Sequence, residues 1–464
     1  MLFKIFNFQT KTIKSGALIL GIFYSISALL GLVRDRFLAG RFGAGLELDV
    51  YFAAFRIPDF VYNFLILGGL TVTFLPLFSE YFSRNKEDAW KMTNHILNVF
   101  LFFLILISLI LFIFTPWLIK WLFPGFGPSH YELAIPLVRL LLLGPIFFGI
   151  SNIFSGILQY FNRFVIYGLT PVLYNLGIIF GILFLTPQFG IFGVAIGVIL
   201  GAFFHMAIQI PSIINCGFSY KFLFNFRYPA IIRTFNLMIP RVFAIAAQQI
   251  NLIIITAIAS LIAVGSITIF NFSNNLQSLP IGIIAISFTV AAFPVLSRNW
   301  AQNQKKEFLE NFSKTFRQIL FCIIPISVFI FLFKNQIASF VYESEKFGFQ
   351  DVKLTAISLG IFAISLFAQS LNPLIVRAFF SWQDTKTPTF VTFFSVILNI
   401  VLAFTFVWLL SFSNLFSSFI ENFFNLQKIE NIAIVGLPLA FSFSAIFQFI
   451  LLLFFFNQRI KKLI

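Results

Sequence analysis

Apolar runs of about 20 to 30 residues, separated by short charged or Pro/Gly-rich breaks, recur along the whole 464-residue chain. Splitting at those breaks predicts about twelve helical spans, at approximately 13–33, 50–80, 93–120, 132–158, 164–186, 189–212, 234–262, 267–296, 315–342, 352–380, 387–411 and 431–457. An even number of spans puts both termini on the same side of a bilayer. The pattern also repeats. Thr71–Ser79 reads TVTFLPLFS and Thr289–Ser297 reads TVAAFPVLS, each at the end of a long span leading into a basic loop. Two copies in the same membrane orientation predict two six-helix halves related by an axis along the membrane normal. Coincidence between two apolar nonamers is the competing explanation. The expected organisation is an N-terminal six-helix lobe at 1–215, a cytoplasmic linker at 216–233 that overlaps the charged stretch NCGFSYKFLFNFRYP, and a C-terminal six-helix lobe at 234–464.

Composition narrows this to a polytopic, all-α membrane protein. The chain is 59% hydrophobic and 10% charged, where soluble domains carry about a quarter charged residues. With a mean hydropathy of +0.97, a water-soluble fold is excluded. A net charge of +15 would point to nucleic acid only on a water-exposed basic domain, and no such domain is visible. The cations instead sit in short loops. One alternate set, from Lys4, Lys11 and Lys14 through SRNKEDAWK, Arg163, Lys221, Arg227, the 297–317 segment and Lys386 to Arg459, Lys461 and Lys462, holds about 20 of the 31 Lys and Arg residues, against about eight opposite. That side is expected to be cytoplasmic. The N-terminal run ends in LVRDR rather than a small-residue cleavage site, so it reads as a retained span.

Catalytic chemistry finds no support. Walker-type GxxxxGK[ST], HExxH and GxSxG patterns are absent from the sequence. Cys216 and Cys322 lie far apart without CxxC spacing, as buried small hydrophobes do. His95, His130 and His205 have no second ligand at metal spacing and read as structural. No cofactor, metal or enzyme activity is expected. Work on a substrate then depends on an ion gradient, the membrane potential or the substrate's own gradient.

The informative residues are charges inside apolar runs, since such groups are costly in hydrocarbon and face a cavity or a partner. Arg34, Asp35, Arg36, Arg41, Glu47 and Asp49 cluster in VRDRFLAGRFGAGLELD, and Arg56 and Asp59 flank Pro58. Arg139 and Arg241 lie in the fourth and seventh spans. The candidate head-group phosphate site is Arg34, Arg56 and Arg241, because a guanidinium grips phosphate oxygens in a bidentate fork. Asp35, Asp49 and Asp59 are candidate charge partners or coupling groups. The plainer alternatives are a self-neutralising interfacial loop, an i,i+3 ion pair between Arg56 and Asp59, and snorkelling of Arg139 and Arg241.

The stretch LLGLVRDRFLAGRFGAGLELDVYFAAFRIPDF resembles the start of the MurJ/MviN family, with its Arg-Asp, its basic-Phe-Gly-Ala-Gly turn and its Ala-Phe-basic-x-Pro segment. The similarity continues in order through FLPLFSEYFSRNKEDAWK, PGF at Pro124–Phe126, GILQYFNRF, TPVLYN, QQINLII, FPVLSRN and SWQDTKTP. It implies the multidrug/oligosaccharidyl-lipid/polysaccharide exporter fold, with two six-helix lobes around a central cavity of alternating access. It further implies a flippase for lipid II, the undecaprenyl-pyrophosphate-linked disaccharide-pentapeptide, whose pyrophosphate meets cavity arginines. Arg34, Asp35, Asp49 and Arg56 match family cavity positions. Asn399 matches a polar position near where some members look to bind sodium, so Na+ or the membrane potential is the implied drive. Membrane lipids and cell-wall synthesis enzymes are the implied partners.

There are departures from the family pattern. Ala28, Tyr62 and Asn275 stand where the family usually has arginine, and two further C-terminal spans typical of the family do not follow the twelfth. Two other functions are compatible with these residues: an exporter of another polyprenyl-linked glycan or of amphipathic small molecules, and a membrane scaffold without transport.

Overall fold

The apolar runs form helices in the computed structural model, which describes residue 9 and residues 13–426 and 429–461. No strand occurs among the described residues. In chain order the helices are α1 (Ile13–Phe42), α2 (Leu46–Ala54), α3 (Arg56–Val61), α4 (Thr71–Arg84), α5 (Lys86–Leu122), α6 (Pro128–Leu141), α7 (Leu143–Tyr160), α8 (Phe164–Phe180), α9 (Thr186–Phe189), α10 (Ile191–Ala207), α11 (Ile210–Ile214) and α12 (Pro229–Ser260). They continue with α13 (Ser266–Pro280), α14 (Ser287–Ala301), α15 (Lys305–Tyr342), α16 (Phe349–Ser381), α17 (Lys386–Leu410), α18 (Leu415–Phe424) and α19 (Gly436–Lys461). π-helical stretches at Tyr62–Leu70, Gly181–Leu185 and Ile281–Ile286 run into the helices that follow them.

Among the described residues, ten helical stretches are long and apolar enough to cross a bilayer. Two of the twelve expected spans are not among them. The 50–80 segment is divided: α2 stops at Ala54, and after α3 the backbone widens into the π-helical stretch. Pro58 contributes by lacking a donor for the helical ladder. The 234–262 segment lies on α12, where the side chains of 239–244 are outside the described residues and the remaining apolar stretch, Ile245–Ser260, is shorter than a span. The two copies of the sequence repeat share a local build. A π-helical stretch precedes α4 with its internal Pro76, and another precedes α14 with its internal Pro294.

The chain divides into two compact units, one built from Met1–Arg41 and Val50–Ile250, the other from Phe42–Asp49 and Asn251–Ile464. In the first, α8 and α10 meet through glycines. A Cβ placed on Gly181 would lie 2.6 Å from Gly193 O and from Gly197 Cα, the close backbone approach by which membrane helices gain dispersion contacts without hydrophobic drive. Phe74, Phe78 and Phe82 on α4 recur every fourth residue, stacking in line, and with Trp90, Tyr160 and Phe161 they form an aromatic core.

In the second unit α16 is the central helix, with 83% of its apolar window buried. Interhelical hydrogen bonds hold its neighbours. Gln369 Nε2 donates to Gln277 Oε1 on α13 at 2.9 Å, Ser365 Oγ to Ser442 Oγ on α19 at 3.0 Å, and Gln448 Nε2 of α19 to Thr392 Oγ1 on α17 at 3.1 Å. Each satisfies polar groups that lipid could not.

Candidate functional site

Arg34 sits in the Leu18–Phe42 stretch of α1, only 6% of whose apolar window is buried. Its side chain is held on the packed side. Nε and Nη2 donate to Asp35 Oδ1 at 2.9 and 2.8 Å, and Nη1 donates to Asn175 Oδ1 of α8 at 3.1 Å. Asn175 is itself anchored, donating through Nδ2 to Ser27 Oγ at 3.0 Å and to Pro171 O at 3.2 Å. Ser27 and Arg34 are seven residues apart, two helical turns, so α1 presents both to α8. Asp35 is 2% exposed and Arg34 23%, which leaves the guanidinium the more accessible partner.

A cavity of about 300 Å³ opens beside this group within the first unit, lined among others by Asp59, Tyr62, Phe148, Tyr174 and His205. Tyr174 is in electrostatic reach of Arg34, and Arg56 of Asp59. Pro58, Pro145 and Pro171 all line the cavity. Phe148 lies at the aromatic side, with ring centroids 5.3 Å from Tyr62, 5.2 Å from Tyr174 and 5.2 Å from His205.

Behind His205 lies a buried polar cluster. Ser151 Oγ is 2.6 Å from His205 Nδ1, Gln209 Nε2 donates to Ser151 Oγ and to His205 O, and Ser155 Oγ donates to Gln209 Oε1 at 3.1 Å. The histidine is thus a tethered cavity residue, which its isolation in the sequence concealed. The legible signal was paired i,i+4 spacing, Ser151 with Ser155 on α7 and His205 with Gln209 at the end of α10.

The other sequence candidates fall elsewhere. Asp49 belongs to the second unit and is 3% exposed. Its Oδ2 accepts from Gly265 N at 2.6 Å, and its Oδ1 accepts from Thr268 N at 2.8 Å and Thr268 Oγ1 at 2.6 Å. It therefore closes the N-terminus of α13, where unpaired amides and the helix dipole favour a carboxylate. The turn before it depends on glycine: Gly43 and Gly265 adopt φ of +69° and +93°, and a Cβ on Gly265 would lie 2.5 Å from Ala44 O. Asn399, also in the second unit, donates to Asn251 Oδ1 at 2.9 Å, while its own Oδ1 is buried without a partner among the described residues. Arg139 donates to Phe112 O at 3.2 Å and lies 4.7 Å from that ring's centroid. Arg241 is on α12, with its side chain outside the described residues.

Arginine and carboxylate groups within apolar helices beside a cavity suit a transporter, and the comparisons with known proteins agree. The "Probable lipid II flippase MurJ" of Vibrio cholerae is 28% identical over 410 residues, covering 86% of this chain and 78% of the relative. A solved structure of a lipid II flippase MurJ in an inward closed conformation superposes with a TM-score of 0.78 at 25% identity, covering 95% of this chain and 87% of that one. An inward-facing multidrug resistance MATE family transporter of the MOP superfamily shares the fold, with a TM-score of 0.75 at 16% identity over 96% of this chain and 98% of that one. The family described as lipid II flippase MurJ matches residues 38–464, and the chain belongs to that family of transporters.

Proposed function

We propose that this multi-pass membrane protein moves lipid II from the inner to the outer leaflet by alternating access, with Arg34 and Arg56 meeting the pyrophosphate. The observation that carries the reading is the Arg34 guanidinium, oriented by Asp35 and Asn175 yet still 23% exposed. A held, partly open fork is suited to an anionic oxygen pair. Asp59 balances Arg56 when the substrate is absent. The basic loops support termini on the cytoplasmic side. For coupling we infer Na+ at the Asn251–Asn399 pair, where the unpartnered Asn399 oxygen is a suitable hard donor. Arg241 is proposed as a third cationic contact on its sequence position alone.

The test is complementation of a host depleted of its own lipid II flippase, alongside an Arg34→Ala/Arg56→Ala variant and an Arg34→Lys/Arg56→Lys control, with membrane accumulation measured for each. Rescue by the parent, loss in the alanine variant and partial function in the lysine variant are expected. Equal rescue by the alanine variant would remove these arginines from the mechanism. A parent chain that reaches the membrane and fails to rescue would favour a second reading, export of an amphipathic small molecule, to which the aromatic wall around Asp59 is also suited.

A further inference from the structure

Between α11 and α12 the backbone leaves the helical state and runs irregularly along α5. Its polar groups are matched by two asparagines one turn apart. Asn94 Nδ2 donates to Ser219 O at 3.0 Å and Asn94 Oδ1 accepts from Lys221 N at 2.9 Å. Asn98 Nδ2 donates to Lys221 O and Leu223 O, both at 3.1 Å, and Asn98 Oδ1 accepts from Tyr220 OH at 2.9 Å. Farther along, Phe224 and Phe226 reach Phe102, with centroids 5.5 and 5.9 Å apart, and Tyr228 then returns to stack on His95 at 4.3 Å. From the level of His95 to that of Phe102 is about 10 Å along the helix axis. The segment is a re-entrant dip whose deepest part lies against apolar α5.

Tyr220, Phe222, Phe224 and Phe226 are exposed, Phe222 by 75%, while Phe218 ahead of them is buried. Two exposed cations interleave with them, Lys221 and Arg227, and neither has an ion-pair partner among the described residues. The neighbouring cations are already committed: Arg84 and Arg233 both bind Glu80, and Lys91 pairs with Asp88.

We propose that this loop is a lipid-binding element, inserted into one leaflet with its aromatic rings among acyl chains and with Lys221 and Arg227 on the phosphates of anionic phospholipids. Backbone matched by side-chain amides rather than left for water suits a place where water is scarce. Amphipathic aromatics such as Tyr220 are enriched at the membrane interface, and unpaired cations beside them are drawn to anionic lipid, each contributing to the same preference.

The experiment uses the full chain in nanodiscs of phosphatidylcholine and phosphatidylglycerol, with Phe222→Trp read as a difference against the parent. Either lipid is brominated in turn at equal mole fraction. A blue-shifted emission, quenched more strongly by brominated phosphatidylglycerol, is expected. Adding Lys221→Gln and Arg227→Gln should cut that preference roughly tenfold while the emission stays blue-shifted. Water-like emission without quenching, as for a loop docked on a soluble partner, would overturn insertion. Equal quenching by both lipids in the unsubstituted loop would overturn head-group recognition.

Discussion

Replacing Asp49 by alanine removes three short hydrogen bonds from a carboxylate that is 3% exposed. The amides of Gly265 and Thr268 then stand buried at the start of α13 with no acceptor. A buried unsatisfied group costs about 1–3 kcal/mol, and loss of an N-cap about 0.5–2 kcal/mol, so the two amides together predict destabilisation of about 2–4 kcal/mol. Asparagine retains one carbonyl oxygen but turns an NH2 toward a donor and loses the charge-assisted component, which predicts an intermediate loss of about 1–2 kcal/mol. The assay is thermal unfolding of the purified chain in nanodiscs, paired with complementation at a temperature where every variant is folded. Midpoints should fall in the order parent, Asp49→Asn, Asp49→Ala, with transport retained by the asparagine variant. A parental midpoint in Asp49→Ala would refute the capping argument. An asparagine variant that melts like the parent and cannot transport would show that the charge itself works in the cycle.

Three further outcomes follow from the same geometry. Asn175→Leu removes the acceptor for Arg34 Nη1 and the anchor to Ser27, and should lower flipping several-fold in a reconstituted assay with a change in melting temperature much smaller than that of Asp49→Ala. Gly197→Leu places a side chain where a bare Cβ already lies 2.7 Å from Gly181 Cα; overpacking of this kind costs about 1–3 kcal/mol or more, and size-exclusion of the solubilised protein should show loss of the folded species. Asn399→Ala deletes the donor to Asn251 and the unpartnered oxygen, and should abolish any dependence of transport on Na+ while leaving membrane accumulation unchanged.

Much of the fold was legible because a bilayer enforces a simple rule: backbone must be paired within each span, so length and apolarity are sufficient to find most helices. The rule fails where the chain breaks it. The 50–80 segment carries Arg56, Asp59 and Pro58 and resolves into short helices around a π-helical stretch. The repeated TVxxxPxxS segments, by contrast, announced a shared local build that the two π-to-α transitions display. For the site, adjacency in sequence revealed Arg34 with Asp35, but the partner that orients Arg34 is Asn175, 141 residues away. His205 was equally hidden, since its tether comes from Ser151 on another helix.

The stretch VRDRFLAGRFGAGLELD is the clearest case of sequence proximity separating into different tasks. Read linearly it is a single charge cluster, with Asp35 and Asp49 interchangeable as partners for its arginines. The fold sends Arg34 and Asp35 into one unit and Phe42–Asp49 into the other. Asp35 then holds a partly open guanidinium, whereas the Asp49 carboxylate accepts from Gly265 and Thr268 at the start of α13. Gly43 lies in the turn between α1 and α2 with a φ of +69°, a conformation that alanine or a larger residue enters only with strain. Two aspartates fourteen positions apart thus serve different ends, one as the ion-pair partner of Arg34 and the other as a helix cap.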